Sequence, residues 1–140
     1  MSSVISNRVF IDTSAFQAVW DTQDQFHGEA VKIWRKIQDE NVELITSSYI
    51  LDETFTLMRS RQGIIAVDIF RKMLENPASK IAIKRVTIED EQNAWLWFMR
   101  AFKRLSFTDA VIFSMMYRLD ITKVFTFDHH FEQANFQRFI

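Results

Sequence analysis

Short apolar runs alternate with longer amphipathic segments along the whole chain. The run at 8–11 is rich in residues that favour strands, and it ends at Asp12-Thr13-Ser14, whose side chains are typical helix caps. This order predicts a strand, then a carboxylate, then a helix. Further strands are predicted at 42–46, 80–86 and 123–127, with a stub of a fifth strand after Phe131.

The segments between these strands carry helical signals. Apolar residues recur at helical spacing from 24 to 40, and Gly63 closes a helix that follows Ser47. Further helices are predicted at 64–75, from the Thr87 cap to 104, and from 109 to 119 after a Thr108 cap. Strands alternating with helices predict an α/β fold with a mostly parallel sheet covered on both faces. No boundary is visible, so 1–140 is expected to form a single domain.

Composition narrows the chemistry. The 140 residues contain no cysteine, so thiol nucleophiles and Cys-ligated zinc are excluded. A net charge of −1 argues against binding nucleic acid through bulk positive charge, but it does not exclude a nuclease with a carboxylate site. The segment 1–7 does not resemble a signal peptide, and no apolar stretch is long enough to span a bilayer, so a cytoplasmic location is expected.

Parallel sheets bind ligands at the carboxyl ends of their strands. Four acidic residues are expected at this edge, because they follow predicted strands or lie on the helices that begin there. Asp12 and Asp128 each follow a predicted apolar strand. Glu53 lies on the flank of its helix's apolar stripe, whereas Asp52 lies nearly opposite that stripe. Asp109 begins a helix that is apolar almost all round and is therefore expected to be buried. Each acid alone also fits an ordinary cap or surface position; the prediction rests on all four together.

Carboxylates gathered in one cleft need nearby cations to remain ionised. Hard oxygen ligands favour Mg²⁺ or Mn²⁺. Such ions activate water and stabilise a leaving oxygen in the hydrolysis of phosphate esters. The sequence therefore predicts a divalent metal site with hydrolytic chemistry.

Four segments carry a further signal: VFIDTSAF at 9–16, YILDET at 49–54, LSFTDA at 105–110 and TFDHHF at 126–131. In this order and spacing, over nearly the whole chain, they resemble the motifs of PIN-domain nucleases. The resemblance is closest to the VapC-type toxin branch of that family.

The resemblance implies a three-layer PIN-like domain with four to five strands and a Mg²⁺- or Mn²⁺-dependent endoribonuclease. It implies metal binding by Asp12, Glu53, Asp109 and Asp128, with the Ser14 and Thr126 hydroxyls orienting carboxylates or waters. It also implies an RNA substrate, a protein antitoxin that blocks the cleft, and a homodimer. Because the chain stops soon after Phe136, the fifth strand is expected to be short.

Basic and histidine side chains near the motifs have two interpretations. Arg100, Lys103 and Arg104 precede Asp109 and suit contacts to an RNA backbone, but a solvated helix end beside the helix dipole explains them equally. One of the histidines at 129 and 130 could contact a metal or a phosphate. Both are interpreted instead as partly exposed loop residues, because carboxylates already satisfy a hard metal.

Clustered aromatic residues predict exposed apolar surface. Trp95 and Trp97 point to different faces of one helix, so one of them is expected to be exposed, at a dimer or antitoxin interface or stacked on a base. Phe16 and Trp20 are a second candidate patch.

Two other functions remain open from the residues. One is a catalytically silent PIN-fold module that binds RNA or protein, against which the presence of all four acids counts. The other is a phosphohydrolase with Asp12 as nucleophile, which usually has a second acid two residues on; position 14 is Ser.

Overall fold

A computed structural model describes residues 7–140 and contains a five-stranded sheet. The strands are β1 (Arg8–Ile11), β2 (Glu43–Ser47), β3 (Ile81–Lys84), β4 (Lys123–Phe125) and β5 (Gln137–Arg138). Their order is β3-β2-β1-β4-β5, and every neighbouring pair is parallel. The α/β fold with a parallel sheet is confirmed, and β5 is short, as expected. The expectation that the segment 1–7 is not a signal peptide concerns residues that lie, apart from Asn7, outside the described part of the chain.

Helices connect the strands. They are α1 (Thr13–Trp20), α2 (His27–Asp39), α3 (Ser48–Gln62), α4 (Ile64–Glu75), α5 (Ile88–Phe98), α6 (Phe107–Arg118) and α7 (His130–Gln133), with a 3₁₀ turn at Pro77–Ser79. In the described part of the chain, no helix combines the length and the apolar character that crossing a bilayer requires.

The central strand lies deepest in the core. β1 pairs with β2 on one side and β4 on the other, and its residues Val9, Phe10 and Ile11 have no exposed surface. A strand buried on both faces must be apolar at consecutive positions, which is the pattern that the sequence shows. The two edge strands, β3 and β5, are the more exposed ones.

Two predicted helix boundaries are wrong. α5 ends at Phe98, not near 104, and α6 begins at Phe107 with Ser106, not Thr108, as its cap. The Ser106 hydroxyl accepts a hydrogen bond from the Asp109 N–H, and the Asp109 carboxylate accepts one from the Ser106 N–H. This reciprocal cap satisfies two N–H groups at once, which a cap at Thr108 would not do.

The prediction of an exposed patch at Phe16 and Trp20 is wrong for Phe16. Its ring is fully buried and packs edge-on against Phe70 of α4, which covers the α1 surface. On α5 the prediction holds: Trp95 is 53% exposed, whereas Trp97 packs against Phe113 in the core.

Candidate active site

The carboxyl ends of the central strands bring acidic side chains together. β4 lies beside β1 although β2 and β3 come between them in the chain, so the sheet changes its direction of growth between β1 and β4. Open α/β sheets bind ligands at such a point. A cleft of about 540 Å³ lies there, and its lining includes the four predicted acids: Asp12, Glu53, Asp109 and Asp128.

Two hydroxyl groups hold the carboxylate of Asp12. Ser14 Oγ and Thr126 Oγ1 both donate to Oδ2 of Asp12, at 3.0 and 2.8 Å. The hydroxyls in turn accept the N–H groups of Phe127 and Asp128, each at 2.9 Å. Each hydroxyl thus donates a hydrogen bond to Asp12 and accepts one from the loop after β4. These bonds connect that loop to the end of β1. The contacts agree with the orienting role that the resemblance implies for Ser14 and Thr126.

Asp12 has no cationic partner among the described residues, although it is only 5% exposed. Burial raises the pKa of Asp12 to about 7, and the negative charges of Asp109 and Asp128 add to this rise. The hydrogen bonds from Thr126 and Ser14 lower the pKa but do not cancel the effect. A nearby positive charge is therefore needed to keep Asp12 fully ionised at neutral pH.

His130, which is expected to be a partly exposed loop residue, lies between two of the acids. Nδ1 of His130 is 2.9 Å from Oδ1 of Asp128 and 3.4 Å from Oδ2 of Asp109. Asp109, Asp128 and His130 together offer ligand atoms within 4.8 Å of one another. The side chain of His130 is 18% exposed, so it is partly exposed, as expected, but it begins α7 and contacts the two acids. His129 contacts neither acid, and its side chain is 82% exposed.

The charge of His130 is set by its neighbours. Burial lowers the pKa of the imidazole, but Asp128, the hydrogen bond to the Lys103 carbonyl and Asp109 together raise it above its ordinary value. When it is protonated, His130 offsets part of the repulsion between Asp109 and Asp128. Burial and the charge of Asp128 likewise raise the pKa of Asp109.

Glu53 approaches the cleft from a different element. It lies exposed on α3 and lines the cleft together with Leu57 and Arg61, one and two turns further along the helix. Asp52, its neighbour in sequence, does not line this cleft. The choice of Glu53 over Asp52, made from helical periodicity, therefore agrees with the geometry.

The three predicted RNA-binding residues are separated in the structure. Arg104 lines the cleft, but the guanidinium group of Arg100 lies 4.4 Å above the ring of Trp97, away from it. Lys103 is exposed and contributes its backbone carbonyl to His130. Two arginines line the cleft: Arg61 on α3 and Arg104 in the loop before α6.

The donor set fits a hard divalent cation. Both hydroxyls donate to Oδ2 of Asp12, and among the described residues no donor is hydrogen-bonded to Oδ1. Asp109, Asp128 and Glu53 supply further carboxylate oxygens on the same cleft. Oxygen-rich sites of this kind suit Mg²⁺ or Mn²⁺ better than thiophilic metals.

Known proteins are similar to this chain in sequence and in fold. The family model described as PIN domain matches residues 9–137. The 23S rRNA-specific endonuclease VapC20 of Mycobacterium tuberculosis is 31% identical over 132 residues, which cover 91% of this chain and 95% of the relative.

Two solved structures are similar to this chain in fold. A crystal structure of M. tuberculosis VapC20, described as a toxin that cleaves the sarcin–ricin loop, aligns with a TM-score of 0.79 at 30% identity, over 91% of this chain and 95% of that one. FitAcB from Neisseria gonorrhoeae aligns with a TM-score of 0.68 at 16% identity, over 94% and 96% of the two chains, a likeness in fold alone.

Proposed function

Because the chain belongs to the PIN-domain family, we propose that it is a metal-dependent endoribonuclease and the toxin of a toxin–antitoxin pair. The observation that carries the proposal is the cleft itself, in which four carboxylates from four different parts of the chain meet. The relative that shares 31% of its sequence is named as an endonuclease acting on 23S rRNA, which supports RNA as the substrate class.

The proposed ligands of Mg²⁺ or Mn²⁺ are Asp12, Glu53, Asp109 and Asp128. When bound, such an ion activates water for attack on a phosphodiester and stabilises the leaving oxygen. The residues of the chain supply the positioning. Ser14 and Thr126 fix the carboxylate of Asp12, and His130 holds Asp109 and Asp128 close together while its Nδ1 carries a proton.

Arg61 and Arg104 are proposed to bind the phosphates that flank the cleaved bond. Both line the cleft, where the carboxylates would otherwise repel a polyanion. A protein antitoxin that covers this cleft, a homodimer and a cytoplasmic location complete the proposal.

The test is cleavage of a mixed RNA pool and of a sarcin–ricin loop RNA by purified protein in Mg²⁺ or Mn²⁺, with EDTA as control. Glu53→Gln and Asp52→Asn form a matched pair, because the two acids are adjacent and exposed but only Glu53 lines the cleft. We expect cleavage that EDTA and Glu53→Gln abolish and Asp52→Asn preserves. Cleavage that persists in EDTA, or that both variants reduce equally, would contradict the proposal.

A further inference from the structure

Two phenylalanine rings form a parallel stack on the wall of the acidic cleft. The centroids of Phe26 and Phe127 are 4.7 Å apart, and the planes of the rings differ by only 2°. Both residues line the cleft that holds the four acids. Phe26 is the outer member, with 37% of its surface exposed although one face is covered by Phe127.

The inner ring is tied to the acid site through one hydroxyl group. The N–H of Phe127 donates to Oγ of Ser14, which itself donates to Asp12. A base stacked on this pair would therefore have a fixed position relative to the carboxylate of Asp12.

The loop that carries Phe26 is held by its own hydrogen bonds. Oδ1 of Asp24 accepts the N–H of Phe26 at 2.8 Å, and Nδ1 of His27 lies 2.8 Å from the carbonyl oxygen of Ala18. These contacts fix the backbone at Phe26 and the side chain of the next residue, and the stack on Phe127 covers one face of the ring. The ring is therefore ordered before any ligand binds, which lowers the entropy cost of stacking.

The surroundings of the ring select its partner. Aromatic rings that stack in parallel extend the stack with another planar ring, and nucleobases stack on such side chains in single-stranded RNA. Arg61 and Arg104 on the same cleft supply positive charge for the backbone of a nucleic acid. Trp95, although more exposed, does not line the cleft and packs against Phe98 and Phe107. An RNA base beside Phe26 fits these observations better than an apolar side chain of a protein partner.

We propose that Phe26 and Phe127 form a stacking platform that receives an unpaired base next to the phosphodiester cleaved in the acidic cleft. The proposal rests on the proposed nuclease function for the identity of the cleft's substrate. The platform favours RNA with an unpaired nucleotide beside the cleaved bond over fully paired RNA. A paired base is held in its helix, whereas an unpaired base is free to stack on the ring.

The first test measures binding of single-stranded RNA that carries 2-aminopurine, whose fluorescence falls when the base stacks on an aromatic ring. Asp12→Asn serves as the background, so that the RNA is not cut. We expect Phe26→Leu to weaken binding about 5- to 100-fold and to remove the fall in fluorescence. Phe26→Trp keeps a planar ring and is expected to retain both signals.

The matched control is Tyr117→Leu, which removes another exposed ring, near the end of α6 and outside the acidic cleft. It is expected to leave RNA binding unchanged. The stacking platform is refuted if Phe26→Leu binds RNA as well as its background, or if Phe26→Trp loses as much affinity as Phe26→Leu. A role in binding a protein partner alone would give the first of these results.

The same Phe26 variants on the parent background separate this proposal from the nuclease assignment. If Phe26→Leu lowers kcat/KM mainly through KM and Phe26→Trp restores it, the platform is supported. If the parent cleaves RNA and Phe26→Leu cleaves it equally well, the nuclease stands and the platform falls. If the acid variants leave cleavage intact but Phe26→Leu still loses RNA binding, the platform stands and the proposed site of chemistry falls.

Discussion

Two buried aspartates of this chain have opposite surroundings. Asp90, 1% exposed, makes two hydrogen bonds to the guanidinium group of Arg118, at 2.7 and 2.8 Å, and caps α5 together with Thr87. Asp12 receives only two hydroxyl hydrogen bonds. Burial raises the pKa of both groups, but at Asp90 the contacts with Arg118 and Thr87 outweigh it and the pKa is lowered, whereas at Asp12 it rises to about 7.

The difference separates a structural acid, Asp90, from the proposed metal ligand, Asp12. The protein supplies its own cation to Asp90, which completes an internal ion pair between α5 and α6. At Asp12 that cation is absent from the described residues, and the neighbouring charges are further carboxylates. A fold tolerates such an uncompensated charge where an external cation binds, and strongly perturbed carboxyl groups in a cleft are typical of functional sites.

The largest expected effect is on catalysis at Asp12. Asp12→Asn keeps the shape of the side chain but removes its charge, so we expect cleavage to fall by about a thousandfold or more, the loss of several kcal/mol of transition-state stabilisation. The melting temperature without metal is expected to equal or exceed that of the parent at pH 8, because a buried charge is removed. Rates and thermal denaturation measure the two effects, and a large loss of stability would contradict the comparison.

The pH dependence of stability without metal is expected to differ between the two acids. The pKa of Asp12 is higher in the folded state than in the unfolded one. The contribution of Asp12 to the free energy of unfolding therefore falls by a few kcal/mol as the pH rises from about 4 through about 7. The lowered pKa of Asp90 gives the opposite sign: its contribution is present above about 4 and is lost in acid. Urea denaturation in EDTA measures this. Asp12→Asn should lose the part of the decline between pH 4 and 7 that comes from Asp12, while the raised pKa of Asp109 keeps a smaller decline.

Asp90→Asn is expected to show the reverse of the Asp12 result. Removing this charge leaves Arg118 without its partner, which should destabilise the fold by about 2–3 kcal/mol, a value reduced because the arginine is 32% exposed. The cleavage rate of the folded variant should match the parent, since Asp90 does not line the cleft. Denaturation curves and rates under folding conditions test both halves of the prediction.

The smallest expected effect comes from the hydroxyl groups at Asp12. Ser14→Ala removes one of two hydrogen bonds to Oδ2, worth about 1 kcal/mol, and should reduce metal affinity or activity about tenfold. Thr56→Val is a suitable control, because Thr56 is an exposed hydroxyl residue on α3 outside the acidic cleft. Equal effects of the two substitutions would show that the Ser14 contact does not position Asp12.

Most of the fold follows from local patterns. The apolar run of β1, the cap at Ser47 and the stop at Gly63 mark their elements within a few residues. The end of α5 at Phe98 could not be predicted in this way, because residues 99–104 contain no Gly or Pro and favour a helix. In the structure the loop 99–106 separates the end of α5 from the reciprocal cap of α6.

Candidate ligands were predictable where they follow strands or lie beside an apolar stripe, as Asp12 and Glu53 do. His130 was not, because its orientation depends on the Lys103 carbonyl, 27 residues earlier, and on two acids from separate motifs. The adjacent histidines at 129 and 130 offer no local signal that distinguishes them. Asp128 and His130 are two residues apart where α7 begins, and the His130 N–H donates to Oδ1 of Asp128 at 2.9 Å.

The most direct test of the central claim is calorimetric titration of Mn²⁺ into the EDTA-treated protein and into Asp12→Asn, near pH 7 in two buffers of different ionisation enthalpy. If the cleft lacks a cation that Asp12 needs, the parent binds Mn²⁺ and releases protons as it does so, whereas Asp12→Asn binds much more weakly. Equal Mn²⁺ affinity in the two folded proteins, or no binding to the parent, would contradict the account.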